Sequence, residues 1–243
     1  MNKCLKMSSA VLGIILLTTP VSGLFAQRYS QIDFDSVRQR ITDSASAYYY
    51  PRLLRRYQGF DARLGLEDYQ HLYYGYVFDE KYDPVNTVLT RREQVFRDQF
   101  GAKRYRAALQ TARVLLAADP LNLKYNFLAG VCSEQLRDSA AARRFRARWA
   151  GLASAIRASG DGRSPATAYV VVRVPDEYQM LKALGLEFSA HIFRGPPAGR
   201  SGLCTDLFAL KPNRQLLDTL CFNTNWSVQY LNETIEQQHD GRP

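Results

Sequence analysis

The side chains that could do chemistry in this sequence are three histidines, four cysteines and a band of tyrosines mixed with carboxylates. His71, His191 and His239 share no motif. No His-x-x-x-His or Cys-His pair stands at metal-ligand spacing, and no Gly-x-Ser-x-Gly elbow supplies a nucleophile. The residues thus assign no metal, no cofactor and no catalytic group. Nine of the 15 tyrosines lie between positions 48 and 82: Tyr48, Tyr49, Tyr50, Tyr57, Tyr69, Tyr73, Tyr74, Tyr76 and Tyr82. Asp61, Asp79, Glu80 and Asp83 fall in the same stretch. Rings and acids together could make a sugar- or peptide-binding cleft, or a hydrolytic one, with Arg55, Asp61, Tyr73 and Tyr74 touching the ligand. Leu66, Tyr69, Leu72, Tyr73 and Tyr76 recur at helical spacing, which predicts a buried stripe with its hydroxyls reaching the surface. The stripe is the favoured reading.

The elements that must position these residues begin after residue 26. Lys3 and Lys6 precede a nine-residue apolar run, Ala10 to Thr18, and Pro20 and Gly23 then break it. That order predicts a secretory signal peptide. Cleavage falls between Ala26 and Gln27, or alternatively after Gly23. The run is too short to span a bilayer as a helix, which takes roughly 20 residues, and no later segment is longer. The expected mature chain is soluble and exported, to the periplasm or beyond. Removing residues 1–26 lowers the net charge from +9 to +7. The surplus suggests nucleic acid, but Arg143, Arg144, Arg146 and Arg148 flank a Phe145/Trp149 face and read as a solvated helix surface. No aromatic-interleaved binding motif accompanies them, and no nucleic acid is expected.

Residues 27–157 read as helical. Asp33 or Asp35 can cap a first short helix, and Thr90 with Glu93 forms a capping box. Asp119-Pro120 ends one helix, because proline disfavours helix in the residue before it. Asp138 or Ser139 starts another. Small residues Ala108 and Ala142 stand 34 residues apart, the tetratricopeptide period, with Gly130 and Phe145 also in place. Ser159-Gly-Asp-Gly-Arg-Ser-Pro165 has Arg157 and Arg163 where a P-loop needs glycine and lysine, and reads as a hinge.

Residues 158–243 read as a small, mostly antiparallel sheet with two helices, packed on the helical part. Tyr169 to Val174 is a strand, Pro175 opens a helix that Gly185 ends, and Leu186 to Phe193 is a second strand. Leu203 to Lys211 and Gln215 to Asn223 pair around Pro212-Asn213, and Trp226 to Ile235 closes as a helix. The fold class is α+β. If Pro212 and Asn213 are the central turn residues, Cys204 faces Cys221 at a non-hydrogen-bonded pair. A Cys204–Cys221 disulfide is expected on that register; one extra turn residue would leave two buried thiols. Cys132 is expected as a buried free thiol.

Tyr48-Tyr-Tyr-Pro51, Leu66-Glu-Asp-Tyr-Gln-His-Leu-Tyr-Tyr-Gly-Tyr76, Gly160-Asp-Gly162 to Val171, Glu177-Tyr178, Asp206-Leu-Phe208 and Phe222-Asn223 resemble, in order, a bacterial domain-of-unknown-function family numbered 4919. Its members are exported proteins of Bacteroidetes-type organisms. Cys221 stands where the family has an aromatic residue. The resemblance implies compartment and architecture and carries over no catalytic residue. The expected function is a non-catalytic interaction or scaffold module for an envelope protein or peptide. The alternative is an envelope hydrolase or sugar-binding protein built on the tyrosine band.

Overall fold

A computed structural model describes residues 32–84, 90–195 and 205–240. The expected export signal, its Ala26/Gln27 junction, Cys204 and the side chains of Thr90 and His239 lie outside what is described. Asp33 caps α1 (Phe34–Thr42), its carboxylate accepting from the Ser36 amide at 2.9 Å. Pro51 sits in the first turn of α2 (Tyr50–Gln58), where its missing N–H costs nothing. Asp68 accepts from the Gly65 amide at the start of α3 (Leu66–Gly75).

Most of the tyrosine band is core, with Tyr48 and Tyr49 half-buried at its start. Tyr57, Tyr73 and Tyr74 are fully buried, and Tyr50, Tyr69, Tyr76 and Tyr82 nearly so. The Tyr73, Tyr74 and Tyr82 hydroxyls stay inside, where the helical stripe predicts hydroxyls at the surface, while the Tyr69 ring borders an open hollow. Several hydroxyls end on interior carbonyls, which satisfies a group that would be costly to bury unpaired. Tyr57 donates to Pro120 O at 3.0 Å, Tyr74 to Val170 O at 3.2 Å and Tyr82 to Val172 O at 2.8 Å.

Four helices follow, α4 (Thr90–Gly101), α5 (Tyr105–Ala118), α6 (Leu123–Gln135) and α7 (Ser139–Arg157), each packed on the next. Asn122 caps α6 and Asp138 caps α7. Phe96, Ala108, Ala112, Leu115, Tyr125, Ala129 and Phe145 fill a core between them. Among the described residues no helix is long and apolar enough to cross a membrane.

Three helices end in the same way. Phe60, Lys103 and Arg137 each have φ near +60° just past a helix. At α2 the Phe60 amide donates to Tyr57 O and the Asp61 amide to Arg56 O, which is the Schellman pattern. Glycine normally occupies that position, so the Phe60 backbone is held in the left-handed region at a cost of roughly 1–2 kcal/mol.

The second half is β1 (Tyr169–Val170), α8 (Val174–Leu184), β2 (Phe188–Arg194), β3 (Thr205–Leu210), β4 (Thr219–Asn223) and α9 (Asn225–Asp240). The sheet order is β1-β4-β3-β2, antiparallel except for the parallel β1–β4 pair. The first strand is only two residues long, because the Arg173 backbone turns into α8. Tyr73, Leu152, Ile156, Val171, Phe208 and Phe222 share one core, so helices and sheet are packed together.

Two expectations are corrected. The β3–β4 ladder pairs Leu207 with Cys221, not residue 204 with 221. Asn213 widens the turn: its side chain bonds Lys211 O, Leu217 O and the Gln215 and Leu217 amides, and Leu216 takes φ 53°. The Cys221 thiol is free and buried, as is Cys132. The register argument for a Cys204–Cys221 bridge therefore falls, and Cys204 itself is outside the described residues. The presumed hinge is also bonded into the fold. The Asp161 and Gly162 amides share Thr167 O, and Gly162 O accepts from the Cys221 amide at 2.8 Å. Gly162 needs φ +68°, and a Cβ on Gly160 would stand 2.3 Å from Thr167 O.

Candidate functional site

Arg148 organises a concavity between the end of α2 and helices α5 and α7. Its position one turn beyond Phe145 places it on the inward face of α7, and it is buried, contrary to the solvated arginine face expected of it. The guanidinium donates to Tyr57 O at 2.8 Å and Gln58 O at 2.7 Å, carbonyls of the last turn of α2. A cation there also complements the helix dipole. The same group lies 3.4 Å over the Phe60 ring, a close cation–π contact. Burial lowers its pKa, opposed by the nearby tyrosines.

Phe60 and Arg148 form the wall between two adjoining hollows of ≈ 370 and ≈ 350 Å³. Tyr57, Leu64, Tyr69 and Ala147 give the first an apolar floor. Leu116, Ala117, Pro120 and Phe145 do so for the second. Arg143 and Arg113 stand at the outer rims, and Arg144 serves both hollows. Among the described residues none of these three arginines is ion-paired. Such a groove can take an apolar side chain between guanidinium groups that bind carboxylates in bidentate fashion.

The four residues weighed from the sequence do not meet. Arg55 is exposed on α2. Asp61 lines the first hollow but is engaged by Arg63 and Arg56, each at 2.9 Å. Hydrogen bonds from Arg63 and then Arg56 hold its carboxyl well below the ordinary range. Tyr73 donates to Asp176 at 2.8 Å and Tyr74 bonds backbone carbonyls, both sealed in the core. Burial raises both phenols. Phe60, Arg113 and Arg148 were missed. Helical periodicity carried a signal for Arg148, which shares the face of Phe145, Trp149 and Leu152.

Two further polar clusters lie around α8, whose first turn carries Asp176 and Glu177. On one side Arg173 makes a bidentate, buried pair with Asp119 at 2.5 and 2.7 Å. Asp176 joins it, its pKa raised to about 6 by burial, against the pull of Arg173 and Tyr73. On the other side Glu177 faces His191 of β2 and Asp206 of β3. One ligand atom from each of these three lies within 4.8 Å of the others. Burial, then Asp206, pushes the Glu177 carboxyl up to about 10. They are the described residues with the donor set to hold a metal.

A family model described as a domain of unknown function, DUF4919, matches residues 35–227. No curated protein and no solved structure matches the chain.

Proposed function

The chain belongs to the DUF4919 family, whose description assigns no activity, and from that premise we propose that it is an exported, non-catalytic interaction module of the cell envelope. The residue 1–26 pattern supports export to the periplasm or beyond. The α4–α7 run, with its 34-residue spacing of small residues, supports a tetratricopeptide-like scaffold. The occupant of the Phe60–Arg148 groove is an acidic peptide segment of a partner, with an apolar side chain seated beside Phe60 and carboxylates against Arg113, Arg143 and Arg144.

The observation that carries this reading is the pair of apolar hollows joined at Phe60 and rimmed by three guanidinium groups without ion-pair partners among the described residues. A fluorescein-labelled peptide of alternating Glu and Phe residues tests it by anisotropy, beside its Gln-for-Glu counterpart. The acidic peptide is expected to bind, and Arg143→Gln with Arg144→Gln to weaken it by about tenfold or more, the loss of one charge-assisted hydrogen bond or two. Equal binding of the neutral peptide, or an affinity indifferent to both substitutions, refutes the assignment.

A further inference from the structure

Glu177 is an anomaly on geometric grounds alone. It lies on the stripe of α8 that carries Met180 and Leu181 inward, and its side chain has no exposed surface. As a carboxylate it finds no hydrogen-bond donor at either oxygen, and the polar group beside it is a second acid, Asp206. An acid buried in that way is strongly disfavoured unless something compensates it. Its neighbour Asp206 is also buried, 3% exposed, and reaches His191 Nε2 at 2.9 Å. Among the described residues no lysine or arginine pairs with either carboxylate. Two acids thus converge where, among the described residues, the basic group that meets them is an imidazole.

The fold fixes these donors. Asp206 and Phe208 alternate on the inner face of β3, and β2 sets His191 opposite Phe208. The imidazole stacks on that ring at 4.3 Å, with 5° between planes, and meets Tyr178 edge-on at 6.3 Å. Such packing orients a ligand ring much as an outer-shell hydrogen bond would. The His191 side chain keeps 29% of its surface exposed, against 5% for Asp206, so the cluster is open from one side.

We propose that Glu177, His191 and Asp206 bind a divalent first-row transition-metal ion, of the Zn²⁺ or Mn²⁺ class, with coordination positions left open on the His191 side. Ligand bonds to such ions are roughly 2.0–2.2 Å, so donors on one ion stand about 3–4 Å apart, and small side-chain rotations bring these three to that spacing. Two carboxylates and one imidazole favour Zn²⁺, Mn²⁺ or Fe²⁺ over Ca²⁺, which takes six to eight oxygens, and over Cu⁺, which takes sulfur. Structural zinc sites are closed by four protein ligands, whereas three leave a position for water or another ligand. This site is remote in sequence and chemistry from the arginine groove, and its assignment does not depend on that reading.

The test uses the full exported chain, stripped with chelator, dialysed and titrated with Zn²⁺ and with Mn²⁺ by calorimetry. Bound metal is counted by elemental analysis, and Co²⁺ substitution reads the coordination from its visible spectrum. One ion per chain is expected. Glu177→Gln and Asp206→Asn should each weaken binding by tenfold or more. His191→Phe keeps the stack on Phe208 at a solvent-facing position, so it should fold as wild type by circular dichroism and still lose the site and any metal-induced rise in Tm. Absence of stoichiometric binding of every ion, or undiminished binding by His191→Phe, overturns the proposal. The second result would place the ion on the cysteines or another histidine.

Discussion

Replacing Asp119 by Asn tests how helices and sheet are joined. Asp119 closes α5 and accepts both guanidinium nitrogens of Arg173, at the entrance to α8, across 54 residues of sequence. The side chains are 10% and 5% exposed, so neither charge is solvated once its partner goes. Breaking a buried ion pair from one side costs about 3–5 kcal/mol. Asp176 remains near Arg173 and Tyr76 lies beneath the guanidinium at 4.3 Å, which places the expected loss at the lower end, about 3 kcal/mol. For a chain of this size each kcal/mol moves Tm by about 2–4 °C, so Asp119→Asn should melt roughly 6–12 °C lower. Urea unfolding should show the same loss in the midpoint with an unchanged slope. The companion Asp119→Leu/Arg173→Met removes both charges and should recover most of the stability, since an apolar pair of similar volume often substitutes well. A loss below about 1 kcal/mol in Asp119→Asn would refute the reasoning. So would a double variant as damaged as the sum of its singles.

His71 gives a pH dependence. Burial pushes its pKa below the ordinary 6.5, while it stacks on Tyr48 at 3.9 Å and its Nδ1 lies 2.7 Å from Glu67 O. The unfolded chain therefore takes up the proton first, so this contribution is whole above about pH 6.5 and falls away as the pH drops below it. The stability of His71→Phe should decline less between pH 7.5 and 5 than that of wild type; parallel declines would count against the assignment. Gly160→Ala should cost about 1–3 kcal/mol, because its Cβ meets the Thr167 and Ala168 carbonyls at 2.3 and 2.5 Å. Gly101→Ala, with nothing within 4 Å, is the control expected to stay near wild type.

Local rules made much of the architecture legible. Caps at Asp33 and Asp138, the Asp119-Pro120 stop and the glycine after Leu184 depend on neighbours in sequence, and the helices end where those residues stand. The hairpin register was not legible, because a single Asn213 side chain with four hydrogen bonds sets the turn length. The tyrosine hydroxyls were misread for a related reason. Their acceptors, Val170 O in β1 and Val172 O just past it, lie 96 and 90 residues away in sequence. Periodicity says which face is inward and cannot say which carbonyl will wait there. Arg148 was within reach, because spacing put it on an apolar face. Its charge argued for solvent, and the pull of two helix-end carbonyls and an aromatic ring outweighed that argument.

Asp176 and Glu177 carry that contrast to one turn of one helix. Both are buried, both occupy the first turn of α8, and both feel the same helix dipole, which favours negative charge at that end. Adjacent positions on a helix point about 100° apart, so the two acids enter different surroundings. Asp176 meets Tyr73 and Arg173, groups that solvate a carboxylate, and its pKa rises only to about 6. Glu177 meets Asp206 and apolar side chains, and its pKa rises to about 10. The dipole is common to both and cannot account for the difference; the partners must. An acid whose fold supplies partners serves to join the halves of the molecule. An acid whose fold supplies a second acid and an imidazole instead keeps its proton and stays neutral, and gives that proton up only where a cation replaces it.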